Sequence, residues 1–274
     1  MREGHLTDIT ATEPSPTPKV ATVSASVIGE VLRAGWRDFT RVPLIGLFFA
    51  AFYVVGGIIL VLQLQRADQS YSIIPVALGF PLLAPFLAVG LYEVSRRLEL
   101  RDANLQGGMG CRWSEIIGVV FRQKDRQIPS MAAVIIMIFL FWVFIAHMIF
   151  ALFLGLMPMQ NILTDWQHTI FSFNGIKMLG VGTLVGAVTA YVLFSLTVVS
   201  LPLLLDKELD FITAMIVSWQ FVAANRGVMI LWGIVIAVIL FAAMIPAFLG
   251  LFIALPVLGH ATWHLYRRAL VHPE

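Results

Sequence analysis

The sequence predicts an all-α, polytopic membrane protein of six transmembrane helices, arranged as three hairpins that are each preceded by an amphipathic interfacial helix. Three observations carry that prediction. Of the 274 residues 59% are hydrophobic and only 12% charged, whereas about a quarter of an ordinary soluble domain is charged. The apolar residues form runs long enough to cross a bilayer core of about 30 Å, which takes roughly 20 residues of helix. Lys and Arg gather between alternate runs, as they do on the cytoplasmic side of inner-membrane proteins.

Residues 1–26, rich in Pro, Thr and Ser and without the apolar core of a signal peptide, read as a disordered cytoplasmic tail. Residues 27–270 form one membrane domain, with spans near 42–62, 73–95, 131–157, 178–205, 228–246 and 249–267. The last two come from a single run, Gly227 to Trp263. As one helix that run would reach about 55 Å, so it must fold back. "IPAFLG", Ile245 to Gly250, is the expected break, because Pro246 removes a backbone donor and Gly250 relaxes the turn.

Charge placement tests the count. With six spans and both termini cytoplasmic, all of the 18 Lys and Arg except Arg66 and Lys177 fall on the inner side. A five-span chain would export Arg267 and Arg268. The net charge of +2 is too small to call for nucleic acid, and the lone Cys111 forbids an internal disulfide.

Each hairpin has an amphipathic stretch before it. Ile28, Val31, Leu32, Trp36 and Phe39 share one helical face; Trp113, Ile116, Ile117, Val120 and Phe121 repeat the spacing. Ile212, Met215, Ile216, Trp219 and Val222 do so again, after Asp210 as an N-cap. Such Trp-bearing faces lie in the headgroup plane, or else pack on one another as extensions of the spans. Trp36, Trp113, Trp219, Trp263, Arg96, Arg97, Arg267 and Arg268 are the expected interfacial anchors. Superposing Arg96 and Arg97 on Arg267 and Arg268 also sets Pro85 on Pro256, Leu87 on Leu258 and Tyr92 on Trp263. The middle unit lacks an arginine pair, so the repeat is incomplete.

The candidate sites are few. His260 and His264 lie one turn apart, and two imidazoles at that spacing are metal-ligand chemistry; the alternative is an interfacial belt with Trp263 and Tyr266. His147 lies about 14 Å deeper than His260, too far to close a haem or metal site, so no cofactor is expected. His147 is expected to hydrogen-bond Thr189, Tyr191 or Ser195. Glu93, which overlays His264, is expected to pair with it. Gly182 and Gly186 form a GxxxG step for close helix packing. "QGGMG", Gln106 to Gly110, lacks the lysine of a phosphate loop, and Cys111 has no catalytic context.

Four stretches, "AGWRDFTRVPLIGL", "FPLLAPFLAVGLYEVSRRLE", "LPLLLDKELDFITAM" and "LGHATWHLYRR", resemble in order and spacing a bacterial family of predicted integral membrane proteins, domain of unknown function 2189. The resemblance implies a bacterial inner-membrane location and no defined activity. The function expected is that of a non-enzymatic accessory, assembly or scaffold factor. Its partners are then the lipid bilayer and another membrane protein or a second copy of the chain. A small-solute transporter or channel, and a haem or metal binder using His260, His264 and His147, are the alternatives.

Overall fold

The structure, a computed structural model, describes residues 18–65, 73–103, 112–155 and 171–271. The expectations for residues 1–17, Arg66, "QGGMG", Cys111 and the end of the third span at Met157 lie outside these. Among the described residues the fold is all-α apart from one two-residue strand pair. The helices are α1 (Ser26–Arg41), α2 (Pro43–Gln65), α3 (Ile73–Asp102), α4 (Trp113–Arg122), α5 (Ile128–Leu154), α6 (Phe173–Thr197), α7 (Ser200–Asp206), α8 (Phe211–Ala224), α9 (Arg226–Met244) and α10 (Leu251–Ala269). Strand β1 (Lys19–Val20) pairs antiparallel with β2 (Leu270–Val271), Lys19 opposite Val271.

Local chemistry sets the boundaries. Pro43 begins α2, where its missing N–H costs nothing, and it pushes Val42 out of the helical region to φ −139° and ψ 59°. The chain therefore turns by 103° between α1 and α2. Asp210 caps α8, accepting from the Thr213 amide at 2.8 Å, as its placement predicted. The "IPAFLG" break is present as a turn between α9 and α10. There Ala247 and Phe248 hold positive φ values of 49° and 67°, a cost that side chains usually avoid. Gly250 fits because a Cβ at that position would stand 2.6 Å from the Ala243 backbone.

Ile128–Leu154, the continuous stretch Phe173–Asp206 and Arg226–Met244 are each long and apolar enough to cross a membrane, and the bent pair α1 and α2 gives a fourth candidate. α10 misses that standard because its second half carries His260, His264, Tyr266, Arg267 and Arg268. Apolar residues cover the outside of the crossing helices. Leu152, Leu184, Phe241 and Phe144 are all exposed, the arrangement expected of a surface solvated by lipid chains.

The interior is built where α1, α3, α7 and α10 meet. α1 lies against α10, and Gly35 is what allows it: a Cβ there would stand 2.5 Å from the Val257 carbonyl. Val27, Ile28, Val31 and Phe39 are buried, so the apolar stripe of α1 faces protein rather than headgroups. Only Trp36 of that stripe is largely exposed. α4 and α8 divide their apolar residues. Ile116, Val217 and Phe221 are buried, while Trp113, Phe121, Ile212, Ile216 and Trp219 are exposed.

Candidate functional site

The functional candidates converge at one end of the helices, where α3 and α10 turn polar. Asp38, Glu93, Ser95, Arg97 and His260 are all buried there. A buried polar side chain must find partners or destabilise the fold, and the partners explain the arrangement. His264 Nε2 meets Asp38 Oδ2 at 2.7 Å. Burial alone would push the Asp38 carboxyl up; the hydrogen bond and charge of His264, aided by Ser95 and His260, outweigh it and hold the group below its ordinary value.

One turn earlier on α10, His260 Nδ1 shares a hydrogen bond of 2.8 Å with the Ser95 hydroxyl, and its Nε2 makes no well-formed hydrogen bond. The two histidines thus answer to different helices, α1 and α3. Among the described residues no group of three or more His, Cys, Asp or Glu side chains is placed to hold a metal. Asp38 is the residue that sequence reasoning missed. It shares a face with Val31 and Gly35, and the small Gly35 brings α10 close enough to bury it.

Glu93 does not pair with His264. Its own helix supplies Arg97 at i+4, 2.6 Å away, and Arg96 at i+3, 3.2 Å away, while His264 points to α1. Arg97 also meets Glu115 of α4; burial alone would lower its pKa, but the two carboxylates raise it. Arg267 pairs with Glu99 at 2.9 Å and Arg268 with Glu30 at 3.4 Å. The four arginines are therefore cross-ties between helices.

Asp206, at the end of α7, sits among them. It accepts from the Tyr266 hydroxyl at 2.8 Å and lies 3.5 Å from Arg96 Nε and 3.9 Å from Arg267 Nη1. The middle unit that lacks an arginine pair thus brings a carboxylate to the arginines of the other two. Trp263 departs from its expected anchoring role: it is 1% exposed and its indole donates to Glu99 at 3.0 Å. Trp36, Trp113 and Trp219 stand at the surface.

The remaining candidates are dispersed. His147 is exposed, and its Nδ1 donates to the Val143 carbonyl of its own helix at 2.8 Å. Thr189 and Ser195, its expected partners, likewise donate one turn back, to Val185 and Tyr191; a helix carbonyl is the nearest acceptor a side chain can reach without a second helix. Gly182 is open, and Gly186 has only the Trp142 indole nearby at 3.5 Å from a built Cβ. That step lines an apolar groove of about 550 Å³ between α5 and α6, and a second groove of about 700 Å³ lies between α6 and α9. Close approach through glycine occurs instead at Gly35, Gly90 and Gly259.

Residues 73–206 match the model of a family described as predicted integral membrane protein (DUF2189). No curated protein matches the chain, and no solved structure does.

Proposed function

We propose that this integral membrane protein is a non-enzymatic scaffold or accessory factor of the bacterial inner membrane, crossing it six times as three hairpins with both termini cytoplasmic. One observation supports the hairpin pairing: contacts that close each helix pair at the same end. Arg41 before α2 meets Asp102 at the end of α3, 2.7 Å away. Arg126 before α5 meets Glu208 after α7. The tail reaches both ends of the third pair, since Asn225 before α9 accepts from Val23 at 2.8 Å and donates to Ala21 at 3.0 Å, while β1 pairs with β2 after α10. Two segments in contact outside a bilayer lie on one side of it, so an even number of crossings separates them.

The cross-tied end supports a structural role. Its buried carboxylates and cations are spent on one another, and the two lateral grooves are lined by apolar side chains such as Ala146, Ile149, Ile234 and Ala237. Such surfaces suit the packing of a further membrane helix. A carrier would instead need polar groups facing an internal path.

Topology is tested by labelling with a membrane-impermeant maleimide in a Cys111→Ser background. Lys177→Cys and Leu249→Cys should react in intact cells, and Lys124→Cys and Lys207→Cys only after permeabilisation; labelling of all four from one side overturns the six-span reading. Photo-cross-linkers at Gly186 and Ala237 test the role. A discrete one-to-one adduct with another membrane protein or a second copy is expected. Thermal stabilisation by a small solute with no adduct would favour a carrier.

A further inference from the structure

Beside the cross-tied end lies a polar cleft of about 280 Å³, enclosed by α3, by the end of α4 and the turn after it, and by α7. Gln123 lines it. This side chain is 2% exposed, yet its Oε1 accepts no hydrogen bond, which leaves a buried acceptor unmet. Arg122, its neighbour in the same cleft, forms no ion pair among the described residues. The other charges there are already matched: Arg96 to Glu93 and Asp206, and Arg126 to Glu208.

We propose that this cleft binds the headgroup of a glycerophospholipid that carries a primary ammonium, its phosphate on Arg122 and its ammonium toward Gln123 Oε1 and the Asp206 and Glu208 carboxylates. The vacant functions are one cation and one acceptor flanked by acids. A ligand must therefore bring an anion and a hydrogen-bond donor together, and the Asp206 and Glu208 carboxylates of the lining favour an ammonium over the neutral hydroxyls of a glycerol headgroup. The cleft's volume of about 280 Å³ leaves room for a group of the size of phosphoethanolamine. A lipid is favoured over a free phosphoamine by the surroundings: α4, which leads into the cleft, exposes Trp113 and Phe121 as a helix at the headgroup plane does. The proposal rests on the membrane-surface reading of that end.

Full-length protein in a mild detergent is titrated with short-chain phosphatidylethanolamine, phosphatidylcholine, phosphatidylglycerol and inorganic phosphate, with the thermal midpoint as readout. The ethanolamine lipid should raise the midpoint. The choline lipid, whose quaternary nitrogen cannot donate, should bind about tenfold or more weakly. Arg122→Gln, an exposed change, should remove the shift while leaving the lipid-free midpoint unchanged, and Gln123→Leu should erase the preference for ethanolamine over choline. Equal shifts with both lipids overturn the role of Gln123. A shift with phosphate alone equal to that with lipid overturns the lipid as ligand, and no shift at all overturns the site. The maleimide pattern reports the topology separately, so a correct six-span pattern with no lipid effect refutes this proposal alone.

Discussion

Asp38 and His264 stand 226 residues apart in the chain and 2.7 Å apart in space. With Asp38 only 2% exposed and His264 14% exposed, their contact fixes α1 across α10. Removing one partner of a buried pair leaves the other uncompensated, at a cost of about 3 kcal/mol or more. Asp38→Asn and His264→Gln should each lower the thermal midpoint, and the double variant should fall well short of the sum. Additive losses would mean that the two side chains do not interact.

The same pair sets an acid limit. Asp38 is held below its ordinary value of 3.8, so its contribution is complete above that pH and fades as pH falls through the lower folded value. The midpoint of the wild-type protein should drop below pH 3.8 more steeply than that of Asp38→Asn. Parallel curves would refute this.

Glycines give a paired test. Gly35→Ala forces a methyl group against the Val257 carbonyl and should destabilise by about 1–3 kcal/mol. Gly182→Ala meets nothing within 4 Å and should be neutral or stabilising by up to about 1 kcal/mol. The reverse ranking of midpoints would place the close helix contact at the GxxxG step after all.

Asp206 joins α7 to α3 and α10, so Asp206→Asn and Tyr266→Phe should couple. Each removes the charged hydrogen bond at a cost of about 1.5–3 kcal/mol, and a double-mutant cycle should show that Tyr266→Phe costs little once Asp206→Asn is in place, while Asp206→Asn still loses its contacts with Arg96 and Arg267. Independent losses would indicate that the tyrosine is held by packing alone.

The histidines are distinguished by spectroscopy and elemental analysis. His147→Ala should leave stability and absorption unchanged, since the ring bonds only to its own helix. Purified protein is expected to be colourless and free of stoichiometric metal. A bound metal or haem band that disappears in a His260→Ala and His264→Ala double variant would revive the ligand reading.

Much of the architecture could be read from local rules. Pro43, Asp210 and the Ile245 to Gly250 break act within a few residues of themselves, and the structure follows each. The polar site was less legible, because its residues acquire meaning only when distant helices meet. Asp38 stands among exposed residues of α1 such as Arg37 and Thr40, and only the approach of α10 at Gly35 makes it a buried group. Glu93 found its charge partners on its own helix, one turn away, and Trp263 carried the amphipathic signature of an anchor while being a core side chain with a buried indole donor. The spacing of Gly182 and Gly186 was likewise a true pattern without the neighbour that would give it force.

The contact between α1 and α10 also dictates an order of biogenesis. α1 leaves the ribosome well before its partner, and at about 5–20 residues per second the interval is roughly 10–45 s. Throughout that time Val27, Ile28, Val31 and Phe39 lack the α10 surface that covers them in the finished fold, and the bilayer surface is the nearest apolar refuge. The helix that ends up sealed within the fold would therefore begin its life as a lipid-bound float, and a nascent chain truncated before Ala261 should remain a target for membrane quality control.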